Sequence, residues 1–162
     1  MDESAVSKDP QLGEQMPGDP IPLHELLGLE FDRPEEGSRV AEVRMPVRPQ
    51  AFGFTANLHG GAIATLVDLA CALAAARASG FDPMQQSLVT ADMHIRYLGR
   101  TRTDTVVARA EVVRIGSQLI VVECKVLDDE HLIAIADFSM MIVPLRRPLS
   151  VNSSGEPGDP EL

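Results

Sequence analysis

The chain has 162 residues, of which 44% are hydrophobic, and a formal net charge of −10. This length suits one domain with a sizeable core. Because the net charge is negative, the protein as a whole does not attract nucleic acid or an anionic membrane surface, and we expect neither as a partner. We expect local arginines to hold any anionic substrate. No run approaches the roughly eighteen apolar residues of a membrane span, and the N-terminus lacks the pattern of a signal peptide, which together favour a cytoplasmic protein.

Both ends of the chain have a composition unlike that of its middle. Residues 1–20 and 146–162 are rich in Asp, Glu, Ser, Gly and Pro and poor in apolar residues. Such segments cannot bury enough surface to order themselves. We therefore predict a disordered N-terminal tail, a folded domain over residues 21–145 and a disordered C-terminal tail.

The first clear element is a strand from Ser38 to Val47. Successive side chains of a strand point to opposite faces, and the face predicted to be buried is the more apolar one, with Ala41, Val43, Met45 and Val47. A crossing segment over residues 48–54 then leads to the next element.

A long apolar helix follows, beginning near Asn57, which is a suitable N-cap. Its apolar stripe recurs at three- and four-residue steps and consists of Ile63, Leu66, Val67, Ala70, Leu73 and Ala74. Asp68 is the only charged side chain between Asn57 and Ala76. Gly60 and Gly61 stand at the helix N-terminus, where free backbone N–H groups favour a negatively charged ligand.

After the helix, which Gly80 to Pro83 terminate, four strands are predicted near residues 87–98, 103–115, 118–128 and 131–143. In the first of them, alternation predicts one face with Val89, Ala91, Met93, Ile95 and Tyr97, and a second face with Thr90, Asp92, His94 and Arg96. That polar face is either solvated or part of an active site. One long helix with five mainly antiparallel strands favours a two-layer α+β domain and leaves the strand order open.

No metal site is predicted. The histidines His24, His94 and His131 are scattered, and Cys71 and Cys124 fall on apolar stripes as reduced core residues. We expect no bound cofactor.

The sequence His59-Gly60-Gly61, with Asp68 seven residues further on, resembles the phenylacetate-pathway (PaaI-like) branch of the hotdog acyl-CoA thioesterases, which belong to the 4-hydroxybenzoyl-CoA thioesterase superfamily. The likeness extends over about residues 23–144. It implies a hotdog fold, in which a five-stranded antiparallel sheet wraps one central helix, and hydrolysis of an acyl-CoA. It further implies Asp68 as general base or nucleophile, the Gly60 N–H as donor to the thioester oxygen, and Thr90 as the hydroxyl after the helix.

The resemblance also suggests the other site residues. His59 either contacts the substrate or has a structural hydrogen-bonding role, which we favour. Candidates for substrate binding are Gly61, Asn57, Gly53, Arg96, Arg114, Gly116 and Ser117. Arg96, Arg100 and Arg102 are close in sequence and suited to the phosphates of coenzyme A. Gly53 departs from the family, because many relatives carry an Asn six residues before the His.

The spacing of Gly60 and Asp68 predicts the assembly. They are eight residues apart, about 12 Å along a helix, so one helix cannot bring both to one carbonyl. Two helices from two chains can, which predicts a homodimer with composite sites and leaves a dimer of dimers open.

The competing hypotheses for the function are a non-catalytic acyl-CoA-binding protein and a structural dimer without a groove. The acyl group, whether small, aryl or medium-chain, does not follow from the sequence.

Overall fold

The computed structural model describes residues 21–33, 35 and 37–145. The two predicted tails lie outside these residues. The helices are α1 (Pro22–Leu27) and α2 (Gly60–Ser79), and a short 3-10 turn covers Pro49–Ala51. The strands are β1 (Glu30–Phe31), β2 (Val40–Pro46), β3 (Gln86–Tyr97), β4 (Thr105–Ile115), β5 (Leu119–Asp128) and β6 (His131–Pro144).

The strands form one antiparallel sheet in the order β1-β2-β4-β5-β6-β3. The sequence predicts five strands, and the sixth is β1, a two-residue edge strand paired with β2 that is too short to give an alternating pattern. The strand that follows α2 pairs with the last strand of the chain, so β3 forms one edge of the sheet. The expected α+β arrangement, one long helix against a curled antiparallel sheet, is confirmed.

The core lies between α2 and one face of the sheet. On β2 the residues Ala41, Val43 and Met45 are fully buried, as the alternation predicts. The buried residues of α2 are Ala62, Ile63, Leu66, Val67, Ala70, Cys71, Ala74 and Ala75. Leu73, expected in the apolar stripe, is only half-buried. Asp68 and Leu73, on different sides of α2, are therefore each only partly covered within this chain.

By length and composition alone, α2 could cross a membrane. The expectation that no run is apolar enough for a span is therefore wrong for Gly60–Ser79. The structure gives a different reason for this apolar character, because eight of the helix residues are buried in the domain core.

A bulge in β3 changes which of its side chains share a face. The register with β6 shifts between Thr90 and Asp92, so Ala91 is an extra residue. Before the bulge, Thr90 pairs with the buried Met140, and after it, Met93 pairs with the buried Phe138. The predicted faces are therefore correct for residues 92–97 and wrong for Val89 and Thr90. Thr90 faces the helix together with Met93, Ile95 and Tyr97, whereas Asp92, His94 and Arg96 lie on the outer face.

The C-terminal end of α2 is bound to the β1–β2 connection by an ion pair. Arg77 Nη2 lies 2.5 Å from Asp32 Oδ1, and Arg77 Nη1 donates to Asp32 Oδ2 at 2.9 Å. The Arg77 hydrogen bond lowers the pKa of Asp32, and the same contact raises the pKa of Arg77. The helix then ends at Gly80, which has the left-handed conformation expected of a C-cap.

Candidate active site

Asp68 lies in the middle of α2, half-buried, among residues that carry no charge. The Thr90 hydroxyl donates a 2.7 Å hydrogen bond to Asp68 Oδ1. Within residues 21–33, 35 and 37–145, Asp68 has no salt bridge, so no cation neutralises the carboxylate. The Asp68–Thr90 pair thus presents a carboxylate that is oriented by a hydroxyl group and still has free lone pairs.

The helix begins at Gly60, and its N-cap is His59 rather than the predicted Asn57. The Gly61 N–H donates to His59 Nδ1 at 2.8 Å, which assigns the ring proton to Nε2. A Cβ added to Gly61 would lie only 2.9 Å from the same ring nitrogen. Gly61 is therefore needed for the cap, and its N–H is already used.

The Gly60 N–H has no hydrogen-bond partner in the described part of the chain. The Tyr97 hydroxyl donates to the Gly60 carbonyl oxygen at 3.0 Å and fixes the orientation of this peptide unit. Sequence reasoning placed Tyr97 only on an apolar strand face. Its contact with Gly60 joins positions 37 residues apart, which no local pattern reports.

A cleft of about 220 Å³ opens beside this peptide, and we call it the Gly60 cleft. Its lining includes Thr55, Asn57, Gly60, Tyr97, Arg100 and Thr101. Asn57 Oδ1 accepts from the Thr101 hydroxyl at 2.8 Å and from the Leu58 N–H at 2.8 Å. Asn57 thus lies at the cleft, and its side-chain oxygen binds two segments of the protein together.

Gly53 lies directly behind the helix start. Its N–H donates to the Asn57 carbonyl oxygen at 2.8 Å, and a Cβ at this position would lie 3.4 Å from the His59 ring. A Cβ at position 53 would therefore be in ordinary van der Waals contact with the capping residue.

The three arginines that follow the helix do not cluster. Arg96 lies on the outer face of the sheet, 4.0 Å from Asp137. The Arg102 side chain lies 3.0 Å from His131 Nε2. Of the three, only Arg100 lines the Gly60 cleft. The structure does not bring Arg96 near Asp68, and its assignment to substrate binding stays a prediction without geometric support.

The segment Arg114 to Ser117 forms the end and turn of the β4–β5 hairpin, where the Gly116 N–H donates to the Leu119 carbonyl oxygen at 2.8 Å. Ile120 pairs with Met140, which pairs with Thr90. At about 4.8 Å per strand, Ile120 lies about 10 Å from Thr90. The hairpin is therefore at the end of the sheet that carries the Asp68–Thr90 pair.

Within one chain, the Asp68–Thr90 pair and the Gly60 cleft lie at two separate points of α2. Eight residues of helix separate them by about 12 Å, too far for one carbonyl group to contact both. Among the described residues, no group of three or more His, Cys, Asp or Glu side chains could hold a metal ion.

The sequence signature of the family described as "Thioesterase superfamily" matches residues 55–135, a segment that contains both parts of the site. The chain belongs to this superfamily. The superfamily is the one expected from the sequence. A curated protein of Halobacterium salinarum named "Putative esterase" is 39% identical over 71 residues, which are 44% of this chain and 46% of that protein. The chain thus matches somewhat less than half the length of this relative.

Solved structures of the superfamily have the same fold. A mutant thioesterase enzyme of Staphylococcus aureus is 27% identical, with 75% of this chain and 98% of that chain covered and a TM-score of 0.69. A protein of Bacillus halodurans solved with CoA is 32% identical, with 75% of each chain covered and a TM-score of 0.64. The PaaI protein of Escherichia coli is 23% identical, with 74% and 83% covered and a TM-score of 0.64. This last likeness shows the hotdog fold alone and does not establish the PaaI-like branch.

Proposed function

We propose that this protein is a cytoplasmic acyl-CoA thioesterase that hydrolyses a small, aryl or medium-chain acyl-CoA. The observation that carries the proposal is the Asp68–Thr90 pair, an uncompensated carboxylate held by a hydroxyl group in a member of the thioesterase superfamily. A carboxylate in the core helix has no structural partner other than Thr90 among the described residues. A catalytic use explains its presence.

The reaction needs a nucleophile and a donor for the developing oxyanion. Asp68 acts in one of two ways. As a general base it takes a proton from a water molecule that attacks the thioester carbon, and as a nucleophile it attacks that carbon itself to form an anhydride that water then cleaves. In both cases the carbonyl oxygen becomes negatively charged, the C–S bond breaks, and the coenzyme A thiolate leaves and is protonated.

The unpartnered Gly60 N–H is suited to the oxyanion, because it is a fixed donor at a helix N-terminus. It lies too far from the Asp68 of its own chain, so we propose that each site combines Asp68 of one chain with Gly60 of a second. The β3 edge of the sheet supports such an assembly, since it presents twelve residues of strand with one side unpaired. We include pairing of two dimers in the proposal, with light scattering as its measurement.

Coenzyme A is the proposed carrier of the acyl group. The Bacillus halodurans relative, solved with CoA, supports this choice. Membership of the PaaI-like branch is a finer proposal, and it makes aryl acyl-CoAs the first substrates to test.

The first experiment compares wild type with Asp68→Asn on a panel of acetyl-, butyryl-, octanoyl-, benzoyl- and phenylacetyl-CoA. We expect kcat of the variant to fall by about 10²–10⁴-fold, the usual contribution of a positioned base. Equal, low rates for both proteins would exclude the enzyme. CoA binding without turnover would instead support the alternative of an acyl-CoA-binding protein.

A second experiment tests the composite site with mixed dimers. Gly60→Pro removes the N–H and adds a ring, whose Cβ would lie 3.4 Å from Tyr97. Proline is tolerated at the first helical position, and the His59 ψ of 137° suits a residue before proline. Gly60→Ala keeps the N–H and is the control. If Asp68→Asn and Gly60→Pro chains are refolded together in equal amounts, random pairing restores about a quarter of wild-type activity when sites are shared by two chains. No recovery would contradict the composite site.

A further inference from the structure

The connection between β3 and β4, residues 98–104, forms one wall of the Gly60 cleft and is anchored at three places. The first anchor is on β6. The Ile133 carbonyl oxygen accepts from the Leu98 N–H at 2.9 Å and from the Gly99 N–H at 3.2 Å. The chain therefore leaves β3 in a fixed direction.

The second anchor is Asn57, immediately before α2. Its side-chain oxygen accepts from both the hydroxyl group and the N–H of Thr101, at 2.8 and 3.3 Å. Because the same oxygen also accepts from the Leu58 N–H, the connection is tied to the segment that ends at Gly60.

The third anchor is Asp128, the one fully buried charged residue among those described. Its carboxylate accepts from the Arg102 N–H at 2.6 Å, from the Thr103 N–H at 3.2 Å and from the Thr103 hydroxyl. Burial alone raises the pKa of Asp128, but these hydrogen bonds outweigh it and lower the pKa, so the anchor is charged at neutral pH.

Arg100 stands between these anchors. Its side chain is exposed, lines the Gly60 cleft, and has no hydrogen bond or ion pair within the described part of the chain. Arg77 pairs with Asp32 and Arg109 pairs with Glu42, whereas Arg44 and Arg114 have no ion pair among the described residues but do not line the cleft. In a chain of net charge −10, an unpaired guanidinium is therefore held at the entrance of the site by a fixed backbone.

We propose that Arg100 binds an anionic group of the substrate, and that Asn57 and Asp128 are positioning residues for it. This proposal rests on the proposed thioesterase function and names the residue that recognises the substrate's charge. A guanidinium pairs with a phosphate or a carboxylate through two parallel hydrogen bonds. The anion is therefore a phosphate group of coenzyme A or a carboxylate on the acyl group.

Whether the bound anion is a phosphate of coenzyme A can be tested without catalytic turnover. Calorimetry measures the Kd of CoA for wild type, Arg100→Gln and Arg44→Gln, a control that removes the same charge from an exposed position on β2. We expect Arg100→Gln to weaken CoA about ten- to a hundredfold and Arg44→Gln to leave it unchanged. Dephospho-CoA in the same assay shows whether the 3′-phosphate is the group bound.

Whether the bound anion is a carboxylate of the acyl group is tested with two substrates that carry four-carbon acyl groups, succinyl-CoA and butyryl-CoA. If the acyl carboxylate binds Arg100, Arg100→Gln raises KM for succinyl-CoA about ten- to a hundredfold and leaves KM for butyryl-CoA unchanged. If Arg100→Gln matches Arg44→Gln in CoA affinity and in both KM values, the assignment is overturned. The Asp68→Asn comparison judges the thioesterase function separately, because CoA affinity does not depend on hydrolysis.

The positioning role is tested at Thr101, whose hydroxyl binds Asn57. Thr101→Val removes the hydroxyl at nearly constant shape, and Thr101→Ser keeps it. We expect Thr101→Val to raise KM or Kd in the same direction as Arg100→Gln, with kcat nearly unchanged, faster amide exchange over residues 98–104, and recovery in Thr101→Ser. Equal affinity and equal exchange in both Thr101 variants would show that the anchors do not position Arg100.

Discussion

At the scale of single residues, the hydroxyl of Thr90 decides how the Asp68 carboxylate is presented. The hydrogen bond of 2.7 Å occupies Oδ1 and leaves Oδ2 free for water or substrate. We expect Thr90→Val to lower kcat about ten- to a hundredfold, the value of one hydrogen bond to a charged group, and Thr90→Ser to retain most activity. Steady-state kinetics on the best acyl-CoA of the panel measure this. Equal kcat for both variants would leave Thr90 with a packing role only.

The effect of Gly61→Ala on the free energy of unfolding should change sign with the residue at position 59, the N-cap. Gly61→Ala places a methyl group against His59 Nδ1 and disrupts the cap, which costs about 1 kcal/mol of unfolding free energy. In a His59→Ala background that contact is absent, so Gly61→Ala should stabilise the protein by up to about 1 kcal/mol through helix propensity. Urea denaturation of the four proteins measures both values, and the same sign in both backgrounds would contradict this account.

At the scale of secondary-structure elements, the Arg77–Asp32 pair holds the end of α2 to the sheet. Its two parallel hydrogen bonds and the low exposure of Arg77 distinguish it from a surface pair. We expect Asp32→Ala to cost about 2 kcal/mol of unfolding free energy, less than for a fully buried pair because Asp32 is partly exposed. The control is Arg109→Gln, which breaks the exposed pair with Glu42 and should cost less than about 1 kcal/mol. Equal costs would show that burial adds nothing.

Sequence periodicity predicted the elements because burial imposes it. The three- and four-residue spacing on α2 and the alternation on β2 follow directly from contact with one core. Thr90 was assigned to the wrong face of β3 because Ala91 is inserted without any local signal. The cap was misassigned because Asn57 is of a preferred N-cap type and His59 is not. The contacts of Tyr97 with Gly60 and of Asn57 with Thr101 join distant segments, so no pattern within one element could reveal them.

At the scale of the whole molecule, two carboxylates make stability depend on acid pH. The Arg77 hydrogen bond lowers the pKa of Asp32, and hydrogen bonds from the Thr103 hydroxyl and from the 102 and 103 amides lower that of Asp128 against the opposing effect of burial. A carboxylate whose pKa is lower in the folded than in the unfolded state stabilises the protein above about pH 4. This contribution is lost as the pH falls through the folded-state pKa. We expect the urea midpoint to be level from pH 7 to 5 and to fall below pH 4.

The double variant Asp32→Asn, Asp128→Asn separates these two groups from the other carboxylates. It should be less stable at neutral pH and should lose less stability on acidification than wild type. Urea midpoints of both proteins between pH 7 and 3 make the comparison. Parallel curves would assign the acid sensitivity to other residues.

The inserted residue Ala91 determines which side chains of β3 face α2. Before it, even-numbered side chains point towards α2, and after it, odd-numbered ones do. In this way one strand offers Thr90 to the carboxylate in the middle of the helix and Tyr97 to the N-terminal end of the helix. Deleting this alanine would make the strand regular and force one half to turn over. One of the two contacts would then be lost although every side chain that forms them is still encoded, so the site depends on a count of residues as much as on their identity.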